Sequence, residues 1–193
     1  LGYSTTGFYF YNLCDCSDEM ENTHKRTTCS AQGSAIPGCS SYQGTLEAVH
    51  DALVAQRVPY KHMLLDSWWY GENIYGGASL WEDAAFVRNI SFPRGLRAFW
   101  QRIGTDKTIW AHNGKWSKTP YAQNYSFTPD ASLPQGDSLW QHLFSANHQG
   151  WGLGTIKQDH MGENIGACKT SYSNVSVLNS WLGGMAQAAT DNG

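Results

Sequence analysis

The sequence predicts an α/β fold, read as the N-terminal half of a (β/α)8 TIM barrel with about four βα units. Three observations carry this. Short apolar runs alternate with helical patterns four times along the chain, and that alternation argues for a parallel sheet with crossover helices. The segments leading from strand to helix are long and carry Cys, Trp, Asp and Gly. Those from helix to strand are a few residues, such as Val58-Pro59 and Thr105-Asp106. Barrels build their sites on strand-to-helix loops and trim the opposite face. Finally, no Gly-x-Gly-x-x-Gly follows the first strand and no phosphate loop occurs, so a doubly wound nucleotide fold loses its main support.

Taken in order, residues 2–11 read as a first strand rich in Tyr and Phe. A polar loop runs to about Ser41. Leu46, Val49 and Leu53 then mark an amphipathic helix, which Pro59 is expected to end. Residues 60–66 form the second strand, with Met63-Leu64-Leu65 as a buried apolar run. After a long loop, Leu96, Phe99, Trp100 and Ile103 make a helical stripe with Gly104 as its stop. Residues 107–112 form the third strand. Leu139, Leu143 and Ala146 place the third helix, and residues 152–159 the fourth strand. Leu178, Trp181, Leu182, Met185 and Ala189 form the last helix, capped by Ser173 or Asn174. Residues 1–193 therefore read as one part of a single barrel domain. Four units leave two open sheet edges, so four more units are expected downstream.

The balance of 13 basic and 16 acidic residues, with no basic stripe, argues against nucleic acid or anionic membrane as partners. No apolar run is long enough to span a bilayer. Nine Trp and ten Tyr are many for 193 residues, and such rings belong in a core or a binding cleft. Cys14, Cys16, Cys29 and Cys39 sit in one polar stretch. Two disulfides in three alternative pairings would staple it. A zinc site using Cys14, Cys16, His24 and Cys29 is the alternative, but paired Cys-x-x-Cys spacing is missing. Cys168 is left odd. Sequons at Asn89, Asn124 and Asn174 together with the Cys cluster favour a secreted or lysosome-like setting for a glycoprotein. The chain starts at Leu1 rather than Met, and reads as a mature or excised piece of something longer.

Three strands end in polar residues directly after apolar runs: Leu65-Asp66-Ser67-Trp68-Trp69, Ala111-His112-Asn113 and Ile156-Lys157-Gln158-Asp159. Such positions are the C-terminal rim of a barrel, where catalytic groups belong. A strand-terminal Asp or Asn also begins turns, but several at equivalent positions suggest a shared site. Lys157 and Asp159, two apart on a strand, face the same way. A Lys beside a carboxylate keeps it ionised, which is the state a covalent glycosidase needs in its nucleophile.

These strand ends resemble the α-galactosidase and raffinose-synthase clan of glycoside hydrolases. There the second strand ends in an Asp-Asp-x-Trp-like motif that binds sugar hydroxyls, and the fourth ends in Lys-x-Asp with the Asp as nucleophile. The resemblance implies that Asp159 attacks the anomeric carbon, Asp66 holds sugar hydroxyls and Lys157 assists binding. The start Leu1-Gly2-Tyr3 also looks like the first strand of related barrels. The chain further resembles a eukaryotic and microbial group with Leu-Asp-Ser-Trp-Trp-Tyr and Ala-His-Asn-x-x-Trp-Ser motifs on the same barrel. The second Asp of the clan's pair is Ser67 here, so hydroxyl recognition must differ. The clan's acid/base lies on the sixth strand, beyond residue 193, so this piece alone is not expected to be a complete catalyst.

The expected function is retaining hydrolysis or transfer of an α-glycoside, with a carbohydrate substrate and no cofactor. Trp68, Trp69, His112, Asn113 and Trp116 are further candidates to line the sugar. Most of the Trp residues after the second strand, Trp81 included, are expected to pack the loop instead. A carbohydrate-binding barrel that has lost catalysis is the alternative. A metal-dependent hydrolase using His112, Asp66 and Asp159 is a third reading, weakened because the strand ends supply a single His.

Overall fold

The computed structural model describes residues 2–4, 42–66, 69, 71–72, 78–81, 83, 92–114, 116, 120–129 and 133–192. The Cys14, Cys16, Cys29 and Cys39 stretch, His24, Ser67, Trp68, Lys115 and Asn89 lie outside these, as do residues 5–11 of the expected first strand.

Four parallel strands form the sheet: β1 (Gly2–Ser4), β2 (His62–Leu65), and two later strands, Thr108–Asn113 and Leu153–Gln158. A two-stranded antiparallel ribbon, β3 (Gly71–Glu72) and β4 (Ala78–Leu80), lies in the segment after β2, so the later sheet strands are β5 and β6. The sheet order is β1-β2-β5-β6, the order of the chain. Helices α1 (Tyr42–Ala55), α2 (Leu96–Ile103) and α3 (Ser138–Trp151) are the crossovers. A short α4 (Met161–Ala167) follows β6, and α5 (Ser176–Asn192) closes the described chain. α1 packs on α2, α2 on α3 and α3 on α5, so the helices stand side by side. Among the described residues no helix is long and apolar enough to cross a membrane.

The strand pleat sorts the side chains into two layers. Met63, Leu65, Ile109, Ala111, Asn113 and Leu153 are buried in the main core with the helices. The other face carries His62, Leu64, Trp110, Thr155 and Lys157, around a concavity of about 540 Å³ that also meets Tyr3. A register shift opposite Ile109 and Trp110 puts Leu153 and Thr155 on opposite faces although they are two apart on β6. Trp110 on this face is 37% exposed. A parallel sheet ordinarily buries both faces.

Helix positions agree with the apolar spacing, while their buried faces depart from it in two places. In α1 the buried residues are Tyr42, Gln43, Thr45, Leu46, Glu47 and His50, with Leu53 only partly covered. The polar members are satisfied locally. Gln43 Nε2 donates to Glu47 Oε1 at 2.8 Å, and the Arg94 guanidinium pairs with Glu47. In α3 the stripe continues from Leu143 to buried Asn147, and Ala146 is exposed. Asn147 fits because its amide donates to the Trp81 carbonyl at 3.2 Å and its Oδ1 accepts the Trp151 indole at 3.0 Å.

α1 also ends earlier than Pro59. Arg57 turns left-handed at φ 56°, its N–H bonds Val54 O at 2.9 Å, and Val58 N–H bonds Leu53 O at 2.9 Å. This paired closure satisfies the last carbonyls and stops the helix without proline. α2 stops at Gly104, whose N–H bonds Trp100 O. At the entry to α5, Asn174, one residue before the N-cap position, accepts the Ser176 N–H on its Oδ1 at 3.0 Å and so satisfies the first free N–H of the helix.

His50 joins α1 to the approach of β2, its Nδ1 2.5 Å from Tyr60 Oη. Burial pushes the Tyr60 hydroxyl up to about 12, so it donates to a neutral imidazole. Burial, then the Arg102 and Lys107 charges, hold His50 below its ordinary 6.5, against Asp51 and Glu47. A His depressed in the folded state resists a proton that the unfolded chain accepts. Stability is therefore full above about pH 6.5 and falls as pH drops through that value toward the folded pKa. Melting followed by circular dichroism between about pH 8 and about pH 5 is expected to lose a few degrees of Tm on the acid side. His50→Gln is expected to flatten part of that loss.

Candidate functional site

The site is built at the C-terminal ends of β2, β5 and β6. Asp66 directly follows β2 and is 8% exposed. Its N–H donates to the Tyr42 hydroxyl at 3.2 Å. Tyr42 is itself fixed by an edge-on contact with Phe92, ring centres 5.5 Å apart. Continuing the β2–β5 register from Leu65 opposite Ala111 sets Asp66 beside His112, and His112 is opposite Lys157 on β6. Asp66, His112 and Lys157 thus form one row across three neighbouring strands. Two strand spacings separate its ends, about 10 Å at the backbone.

Asp159 follows β6 and stays in the ladder, its N–H donating to Asn113 O at 2.8 Å. Asp159 Oδ2 lies 3.4 Å from His112 Nε2 and 3.4 Å from Lys157 Nζ. Its other oxygen accepts the His160 N–H at 2.8 Å. His160 has a left-handed backbone, φ 50° and ψ 32°. For a non-glycine residue this costs about 1–2 kcal/mol, and such strain gathers at functional positions.

Charge follows from these contacts. The His160 N–H holds the Asp159 carboxyl below the usual carboxylate range; the Lys157 ammonium and His112 act in the same direction, against partial desolvation. Asp159 is therefore an anion at neutral pH, with its side chain half exposed. Burial pushes His112 below 6.5; the Lys157 charge adds to this, while Asp66 and Asp159 oppose it. The site thus offers an ionised carboxylate in the open, a cation beside it, a buried imidazole between two acids, and a second carboxylate.

Other sequence candidates sit elsewhere. Trp69 is fully buried, edge-on to Trp81 at 4.6 Å and tilted against Trp151 at 5.2 Å. Its indole N–H donates to His112 O at 3.0 Å, and Trp81 donates to the same carbonyl at 3.2 Å. Both rings pin the loop after β2 to the end of β5, a packing role rather than an exposed sugar platform. Trp116 is 5% exposed and stands edge-on to Trp140 at 5.5 Å, so its ring too is core. Asn113 alternates with His112 and so points to the helix layer, where its Nδ2 donates to Gln158 Oε1 at 2.8 Å. Of the sequon residues described, Asn124 and Asn174 are both exposed. Cys168 is fully buried.

Two residues that the sequence did not single out hold the rim together. Gln158 Nε2 donates to Gly114 O and Asp159 O, each at 2.7 Å. Asn164 Nδ2 donates to Gly114 O and His160 O, each at 3.0 Å. Gln158 carries a signal in hindsight, since the Lys-x-Asp alternation turns it inward; Asn164 carries none. One group of metal-type donors occurs among the described residues. His112, Asp159 and His160 each offer a ligand atom, all within 4.8 Å of one another. The metal-dependent reading expects Asp66 as the third donor; the structure groups His160 with His112 and Asp159 instead.

No protein-family model matches the chain, and comparison with curated proteins gives no match.

Proposed function

We propose that this chain is half of a (β/α)8 barrel and carries the nucleophile side of a retaining α-glycosidase site. The barrel reading is supported by a parallel sheet in chain order with neighbouring helices packed in series. The uncovered face around Trp110 corresponds to a barrel interior, which further strands and their side chains would fill.

The observation that carries the functional reading is the environment of Asp159. One oxygen is flanked by Lys157 and His112, which share a strand-end row with buried Asp66, and the other is held by a backbone N–H. A carboxylate held ionised and half exposed is suited to attack a sugar's anomeric carbon. Its oxygen forms an ester bond to that carbon as the glycosidic C–O bond breaks. The leaving oxygen takes its proton from a carboxylic acid supplied by another strand, about 5–5.5 Å away in a retaining site. Water then cleaves the ester, giving its proton to that same group. Asp66 accepts hydrogen bonds from sugar hydroxyls, and Lys157 donates to the substrate while keeping Asp159 charged.

Asp66→Ala is expected to raise Kd for the monosaccharide that binds best by about tenfold or more, the cost of a hydrogen bond to a charged group. Calorimetric titration with a panel of monosaccharides checks it. Unchanged affinity would remove Asp66 from the sugar site. Sugar binding without turnover of any α-glycoside, in a protein that includes the acid-bearing strand, would favour the non-catalytic barrel.

A further inference from the structure

We propose that His112, Asp159 and His160 bind a divalent transition-metal ion, zinc being the probe of choice. This goes beyond the glycosidase reading and does not depend on it. The three donors come from the end of β5 and the turn after β6, and their ligand atoms lie within 4.8 Å of one another. Two imidazoles and one carboxylate suit zinc-like ions, whereas magnesium and calcium prefer all-oxygen sites.

The spacing agrees with that chemistry. His112 Nε2 and Asp159 Oδ2 stand 3.4 Å apart. Charge-assisted hydrogen bonds are shorter, about 2.7–2.9 Å. Ligands on a tetrahedral ion at about 2.0–2.1 Å sit about 3.3 Å from each other, so these two atoms need little movement to share one. The left-handed backbone at His160 brings its ring to 6.4 Å from that of His112, with the planes nearly perpendicular. Glu163 Oε1 lies 3.1 Å from His160 Nδ1. With Nδ1–H donating to this carboxylate, the imidazole keeps its lone pair on Nε2, and Glu163 is the second partner that metal-binding histidines ordinarily have.

Lys157 is the opposing feature. Its ammonium is 3.4 Å from the same Asp159 oxygen, and like charge repels an incoming ion. Its side chain is 44% exposed on a flexible stem, so it can swing into solvent when the ion enters. Metal and lysine therefore compete for one carboxylate. An ion bound here also blocks attack by Asp159.

Calorimetric titration of the protein with zinc chloride tests this, using His160→Ala, Asp159→Asn and Lys157→Ala. His160 is exposed, so its removal leaves the core untouched. The wild type is expected to bind one zinc ion that His160→Ala and Asp159→Asn bind at least about tenfold more weakly. Lys157→Ala is expected to bind it more tightly. Thiol binding at the Cys-rich stretch would be equal in all four proteins and subtracts out. Identical isotherms for wild type and His160→Ala, or weaker binding in Lys157→Ala, would overturn the proposal.

Discussion

In a protein that also carries the acid-bearing strand, Asp159→Asn is expected to lower kcat/KM for α-glycoside hydrolysis by about 10⁴-fold or more, the scale of losing a covalent nucleophile. The amide keeps the shape and can still accept the His160 N–H that Asp159 Oδ1 now accepts. It lacks the negative charge that Lys157 and His112 surround, and an amide does not form the ester. Because the Asp159 side chain is half exposed, the loss of its ion pair is worth little to the fold. Tm should stay within about 2 °C of wild type, so folding and chemistry separate cleanly. Steady-state kinetics beside a melting curve checks both. A rate close to wild type with matched Tm would remove Asp159 from the mechanism.

Gly184→Ala is expected to cost about 3–5 kcal/mol, a fall in Tm on the order of 10 °C. Gly184 is buried where α5 meets the loop before α3. A Cβ there would stand 1.9 Å from Gly136 O and 2.4 Å from Gly136 C. Those are backbone atoms, so no rotamer change relieves the clash. The loop cannot withdraw easily either, since Gly136 N–H donates to Ser180 Oγ at 2.8 Å and Gln135 Nε2 reaches Val177 O at 3.3 Å. The neighbouring Gly183 is exposed, and a Cβ on it meets nothing within 4 Å. Gly183→Ala should therefore gain about 0.5–1 kcal/mol from helix propensity alone. Opposite signs at adjacent residues, read by chemical denaturation, are the expected result. Equal effects would mean that α5 does not sit against this loop.

The helices were legible in the sequence because burial on a helix repeats with the apolar residues that cause it. The stripe of Leu96, Phe99 and Ile103 became the buried side of α2. The rule failed where polar residues are buried with their own partners, as with Glu47 and Asn147. It failed again at Arg57, a residue whose type gives no warning of a left-handed turn. The row of Asp66, His112 and Lys157 was legible as polar groups after apolar runs, since strand ends in a parallel sheet lie on one rim. The direction of each side chain was less so. His112 and Asn113 are neighbours in sequence and point to opposite layers, and only the register decides which. Trp69 and Trp116 are rings whose positions depend on tertiary packing with Trp81, Trp151 and Trp140, and composition alone cannot tell a packed ring from a sugar platform.

The attacking atom itself is the most direct object of a test. Glycosyl fluorides leave without needing a protonated acid, so the covalent step proceeds even if the acid is supplied by a distant strand. Rapid acid quench of the protein with a panel of α-glycosyl fluorides, followed by peptide mass spectrometry, locates the bond. The expected result is one sugar residue esterified to Asp159, missing in Asp159→Asn. Sugar attached to a different carboxylate, or fluoride released with no covalent sugar at any time, would contradict the account.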